Sequence, residues 1–320
     1  MRHHHYAPQP EQLEWLLDSD PAIRWQVMRD LTGDSPDAIA AERSRVASEG
    51  WGARLLAVQG PDGKWGDGVS KPKWHATLYT LLLLRHMGLD PASEQARRAV
   101  GLLREQFTWG AEFGDASFFE GETEPCINGG VLALGAYFGE ASDRLVDRLL
   151  GEQLQDGGWN CDAPKSTRSS FHTTICILEG LLEYEKANGV SAVVTAARMR
   201  GQEYLLERRL FRRLSTGEVV DPKWTRFSFP TTWHYDVLRG LDYLRSAGVL
   251  PDERVREAVD LVAAARQQGG RWLLWNPQLD PPRWWRSPID FDMEEGEGKP
   301  SRWNTLHALR VLVWGNGSSA

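Results

Sequence analysis

The chain has 320 residues, of which 41% are hydrophobic and 25% charged, enough apolar material for a sizeable core. Its net charge is −7, with acids and bases interspersed and no lysine- or arginine-rich arm, which excludes a nucleic-acid partner recognised through its phosphates. The best apolar run, Leu78 to Leu84, is far short of the roughly 20 residues a membrane helix needs. Met1 to His5 also lacks the apolar stretch of a signal peptide, so a cytoplasmic location is expected, in an arginine-rich, bacterial style of composition.

In chain order, the first strongly apolar helical run is Ile23 to Leu31. An amphipathic stretch, Trp51 to Leu56, leads into Gln59-Gly-Pro-Asp-Gly63-Lys-Trp65, and a second apolar run follows from Trp74 to Leu84. The third run is Cys126 to Phe138. Another amphipathic stretch, Leu145 to Leu150, precedes Gln153-Leu-Gln-Asp-Gly157-Gly-Trp159, and the fourth run is Phe171 to Tyr184. The fifth is Trp233 to Leu244. Val259 to Ala265 then precedes Gln267-Gln-Gly-Gly270-Arg-Trp272, one residue shorter than the earlier glutamine–tryptophan turns, and the last run is Trp303 to Val313.

Six runs spaced roughly 45 to 70 residues apart read as an internal repeat. An amphipathic helix buries one stripe, whereas a helix apolar nearly all round must be covered on every side. Alternation of the two kinds predicts outer helices facing water and inner helices packed behind them. Glycine in each turn supplies positive φ, and the tryptophan after it covers the packed layer while its N–H finds a carbonyl. The chain ends on the apolar run Val311 to Trp314, so the last repeat is expected to close on the first. The expected architecture is all-α, a single (α/α)6 toroid over residues 1–320 with a central cavity. The three cysteines, Cys126, Cys161 and Cys176, form no disulfide framework.

These repeats and this alternation resemble the superfamily of squalene–hopene cyclases, oxidosqualene cyclases and protein prenyltransferase β subunits. The resemblance implies that the N-terminal tips of the inner helices face the mouth of an apolar cavity. The tips are then Arg24-Trp25, Lys73-Trp74-His75, Glu124-Pro-Cys126, Ser170-Phe171-His172, Trp233-His234-Tyr235-Asp236 and Arg302-Trp303-Asn304. On this reading Trp74, His75, Phe171, Trp233, Trp303 and Arg302 contact an isoprenoid-like substrate. Glu124-Pro-Cys126, followed by Gly157-Gly158, Pro164 and Ser170-Phe171-His172-Thr173, is similar to the zinc-binding segment of the prenyltransferases. It implies a Zn2+ held by Glu124, Cys126 and His172, with Cys161 and Asp162 as substitutes, and one coordination position open for a substrate. No partner subunit can be read from the chain.

The sequence departs from both enzyme patterns. Phe118-Phe-Glu120-Gly-Glu122-Thr-Glu124 is acidic where the prenyltransferases carry diphosphate-binding cations, and it reads as a solvated loop. Cations occur instead at Lys71, Lys73, Lys165, Arg168, Lys223, Arg226 and Arg302, any of which suits an anionic head group. The Asp-x-Asp-Asp acid of the squalene cyclases is absent. Its nearest counterpart, Asp290-Phe-Asp292-Met-Glu294-Glu295, reads as a mobile acidic loop. Asp236, beside His234 and Tyr235, is the other candidate acid. Three readings therefore stand: a zinc-assisted prenyltransferase-like enzyme, a metal-free cyclase that protonates its substrate from Asp236 or Asp292, and a non-catalytic binder of an apolar molecule or a protein partner.

Overall fold

A computed structural model describes residues 6–66, 73–275 and 293–316, with the side chain of Lys73 outside the description. Its helices are α1 (Pro10–Leu17), α2 (Pro21–Val27, extended by a π-turn at Met28–Thr32), α3 (Pro36–Ser44), α4 (Gly50–Ala57) and α5 (Lys73–Met87). They continue with α6 (Glu94–Gln106), α7 (Pro125–Phe138), α8 (Asp143–Gly151), α9 (Phe171–Asn188) and α10 (Ala192–Glu207). The last are α11 (Val237–Ser246), α12 (Glu253–Ala264) and α13 (Arg302–Gly315). Two short antiparallel strands, β1 (Trp272–Leu273) and β2 (Pro300–Ser301), pair just before α13.

The chain is thus mostly helical, as the periodicity predicts. Five of the six apolar runs coincide with helices. In the fifth, Trp233 to Leu244, the helix begins only at Val237, because Asp236 is its N-cap and accepts from the Arg239 amide. Trp233, His234 and Tyr235 therefore sit on the entering loop and not on a helix.

The three glutamine–tryptophan turns are built alike. The indole N–H of Trp65 donates to Leu55 O, that of Trp159 to Leu149 O and that of Trp272 to Val262 O, each at 2.7 Å. In each case the acceptor lies in the preceding amphipathic helix. The backbone N–H of the same tryptophans donates to Thr77, Thr174 and Thr305 Oγ1, at 3.0, 3.1 and 3.1 Å, on the apolar helix that follows. One residue thereby ties two helices together, and all three rings are fully buried. Gln59 and Gln153 close their turns on Gly63 O and Gly157 O. Gln267, in the shorter turn, donates to Ala265 O instead.

The buried helices touch in succession, α5 with α7, α7 with α9, α9 with α11 and α11 with α13, and α13 returns to α2. Arg310 of α13 makes that return by donating to Gln26 Oε1 (2.7 Å) and pairing with Asp30 (2.6 Å). Trp25 and Gln26 of α2 donate in turn to Met87 O and His86 O at the end of α5. The tightest junction is α7 against α9. A Cβ on Gly129 would lie 2.5 Å from the Cys176 carbonyl, and one on Gly180 would lie 2.5 Å from Gly129 O. Only residues without a side chain allow the two backbones to approach this closely.

Candidate functional site

The circuit of helices α5, α7, α9, α11 and α13 leaves a cavity of two lobes. The first, about 100 Å³, is mainly apolar and lined by Leu78, Tyr79, Leu82, Cys126, Ile127, Gly130 and Trp233 among others. The second, about 150 Å³, runs toward Lys186 and Ser246 and is lined by Glu183, Asp236, Asp242, Tyr243 and His307. Arg85, His86, Glu179, Phe229, Thr231 and Arg239 border both.

The wall between them is charged, and most of its charges are paired. Arg239 grips Glu179 through two hydrogen bonds of 2.8 and 2.7 Å, and Arg85 pairs with Glu183 at 3.1 Å. Against the cost of burial, Arg245, His307 and Arg310 hold the Asp242 carboxyl well below the usual range. His86 and His307 meet with their Nε2 atoms 3.3 Å apart, so one ring donates and the other accepts. Burial keeps both neutral, with His307 lowered to about 4 and His86 driven well below its ordinary value.

Asp236 is different. Its carboxyl is buried in the wall of the second lobe and, among the described residues, pairs with no cationic side chain. It accepts from Ser228 N (3.1 Å), Ser228 Oγ (3.2 Å) and Arg239 N (2.8 Å). Burial outweighs these bonds and raises the carboxyl to about 6.

The other residues singled out in the sequence are scattered. Trp233 lines the first lobe and stacks on His234, with ring centroids 3.7 Å apart. His234 lies beside His172, and burial lowers both to about 4. Tyr235 lines neither lobe and donates its hydroxyl to Leu210 O. Phe171 packs behind it among Tyr204 and Trp224. Trp74 and His75 form an aromatic group with Phe107 and Trp109 outside both lobes. Trp303 is fully buried behind the cavity wall, stacked on Phe229 at 4.3 Å and in ring contact with His86 and His307. Arg302 lies over the Trp15 ring and donates to Trp15 O, tying the last helix to the first.

Of the residues expected to hold zinc, Cys126 and its substitute Cys161 meet, and the Glu124 charge acts on both. Among the described residues no three His, Cys, Asp or Glu side chains are grouped so as to hold a metal ion. His172 Nδ1 is occupied by the Tyr235 amide at 2.8 Å, and Glu124 is exposed at the start of α7. The Cys126 thiol, raised by its hydrogen bond with Cys161 and by burial, lines the first lobe, whereas Cys161 contacts Thr173 at 3.3 Å.

Two acidic segments also differ from expectation. Glu122, read from sequence as solvated, is only 2% exposed, and burial pushes it up to about 7. Glu294, read as part of a mobile loop, accepts from Ser301 Oγ (2.7 Å), Arg302 N and Trp303 N at the head of α13. Asp290 and Asp292, like Lys71, lie outside the described residues.

The sequence reading missed Arg85, His86, Glu179, Arg239, Asp242 and His307. Their signal was present. Each is a polar residue within or at the end of an otherwise apolar helical run, where burial without a partner would be costly.

No protein-family model matches the sequence, and no curated protein matches it. Among solved structures, the chain is similar to the apo form of the type II terpene cyclase MstE from Scytonema. That match has 18% identity and a TM-score of 0.44, over 97% of this chain and 99% of that one. A variant of the same enzyme in complex with geranylgeranyl dihydroxybenzoate gives 18% identity and a TM-score of 0.44, over 96% and 87% of the two chains. Likeness at this level decides neither the fold nor the chemistry. No described helix is long and apolar enough to cross a membrane.

Proposed function

We propose that the chain is an (α/α)6 toroid of the terpene cyclase kind, taking an apolar, isoprenoid-like molecule into its central cavity and protonating it from Asp236. The observation that carries this reading is the Asp236 carboxyl itself, buried on the cavity wall, where burial outweighs both its hydrogen bonds and the nearby charge of Arg239. With its proton affinity raised to about 6, it keeps a transferable proton in slightly acidic solution. In the first step its O–H bond breaks, the proton adds to one carbon of a substrate alkene, and a tertiary cation forms on the other. Phe229 and Trp233 border the cavity, and an aromatic ring there suits such a cation. Attack by a second alkene closes a ring and leaves a new cation, and loss of a neighbouring proton to the Asp236 carboxylate restores both a double bond and the acid. Arg239 is the positioning residue, since its amide holds one Asp236 oxygen while its guanidinium is fixed on Glu179.

Size limits the substrate. A cavity of ~150 Å³ takes up benzene, so two lobes of this order suit a molecule of roughly ten carbons better than a long polyprenyl chain.

The test is incubation with labelled linear isoprenoids from ten to twenty carbons, as alcohols and as diphosphates, with analysis of cyclised products. Cyclised product from the wild type, lost by about 100-fold or more in Asp236→Asn, supports the reading. Product formation that survives in Asp236→Asn overturns the assignment of the acid. Tight binding without turnover of any of these compounds favours a non-catalytic binder.

A further inference from the structure

The roomier hollow is not at the centre. It lies outside the circuit of buried helices, between the loop preceding α9, the end of α10 and the turn closed by the Arg212–Val219 bridge, and measures about 740 Å³. In a chain of net charge −7, this groove is lined by four arginines and a single acid, Asp156.

Two of the arginines are fixed. Arg208 lies over the Tyr204 ring at 3.9 Å and donates to Tyr204 O at 3.0 Å, with Asp156 3.8 Å away. Arg212 is forked onto Glu257, with Nε 2.8 Å from Oε2. The other two, Arg168 and Arg213, are exposed, and among the described residues neither has a carboxylate partner. Two uncompensated guanidinium groups facing one hollow, beside a third that is only loosely paired, repel one another until an anion enters. The groove also receives the first turn of α9, an 18-residue helix capped by Ser170, whose end carries partial positive charge. Phe171 and Trp224 supply an apolar wall.

We infer that this outer groove binds a small phosphorylated organic molecule, with phosphate oxygens on Arg168 and Arg213 and the organic part against Phe171 and Trp224. A planar guanidinium matches two phosphate oxygens at once, which a point charge does not. The aromatic wall favours a ligand with a ring or chain over a bare inorganic ion. This site is separate from the central cavity, and its occupancy does not depend on the reaction proposed there.

The experiment is calorimetric titration of the full chain with inorganic pyrophosphate, at low and at high salt. It compares the wild type, Arg168→Ala/Arg213→Ala and the control Arg104→Ala, which removes an exposed arginine on α6. The expected result is saturable binding to the wild type that weakens with salt. The double variant should bind at least about tenfold more weakly, as loss of charge-assisted hydrogen bonds requires, and the control as the wild type does. Both arginines are exposed, so unchanged melting temperatures are expected to show that the variants fold. Absence of binding to the wild type at millimolar pyrophosphate and low salt overturns the inference. So does a loss in Arg104→Ala equal to that in the double variant, since binding would then follow net charge and not the groove.

Discussion

The tryptophan turns and the central cavity are built from opposite materials. At Trp65, Trp159 and Trp272 a large apolar ring is buried, its N–H groups are satisfied, and the same pair of bonds recurs three times. In the cavity wall nothing recurs. Arg85, Glu179, Arg239, Asp242 and the His86–His307 pair each occur once and carry charge or polarity into the interior. Burying such groups costs stability unless each is paired, and hydrophobic residues of the same volume would serve the fold as well or better. The repeated turns account for the frame, and the wall is where the molecule departs from what stability alone would select.

The largest effect should come from the frame. Trp159→Ala removes a fully buried indole and both ties it makes, and should cost about 3–5 kcal/mol. Chemical denaturation would measure this, and a loss below about 1 kcal/mol would mean the turn does not hold the two helices together. Asp236→Asn keeps the cap on the Arg239 amide but turns its NH2 toward the Ser228 N–H, so it should cost about 1–3 kcal/mol of stability, while lowering cyclisation by about 100-fold, worth ~2.7 kcal/mol in the barrier. A loss of stability well beyond this range would assign Asp236 to the frame instead of the site.

The pH dependence divides the two roles again. His172, His234 and His307 bind protons at about 4 in the folded chain, below the ordinary value of 6.5, so the unfolded state takes up protons first. Their contribution is fully present above pH 6.5 and is lost as the pH falls toward 4. Asp236 opposes this, since its raised affinity favours the folded state below about pH 6 and the contribution fades as the pH rises from 3.8 to 6. His86 makes a fourth lowered histidine, and Glu122, raised to about 7, joins Asp236 on the other side. With four histidines against these two carboxyls, stability should fall on acidification between pH 6.5 and 4, while turnover should fall above about pH 6 as Asp236 ionises. Denaturant midpoints and rates across this range check both, and turnover that rises through pH 7 to 8 would exclude Asp236 as the acid.

The smallest effects are a test of the repeat. Thr77→Val, Thr174→Val and Thr305→Val each remove one bond to a tryptophan amide and should each cost about 1 kcal/mol. Costs that differ by several-fold among the three would mean that the turns are alike in sequence but not in energy.

Much of the frame was legible because helical periodicity and turn chemistry are local. Gln59, Gly63 and Trp65 announce a turn within seven residues, and the apolar run after it must be buried whatever it packs against. Periodicity carried the fifth run through Asp236, which the structure makes a helix cap. Local signals do not reveal that burial raises its proton affinity, because that depends on what surrounds it. The misread residues follow the same division. Tyr235 is adjacent to Asp236 in sequence, yet its side chain leaves on the other face toward Leu210. Arg302 stands at a helix tip as expected, but Trp15, 287 positions earlier, takes it out of the cavity.

By itself the sequence determined where the apolar helices run, to within the start of the fifth, and where tryptophan joins them to the amphipathic stretches before, since each follows from residues within a few turns of one another. Helices α1, α3, α6 and α10 were not read from it. Only the tertiary structure decided that Arg239 meets Glu179 and that His86 meets His307. Those contacts join residues 60 and 221 positions apart, and side-chain direction, set by packing across helices, fixes them where periodicity cannot.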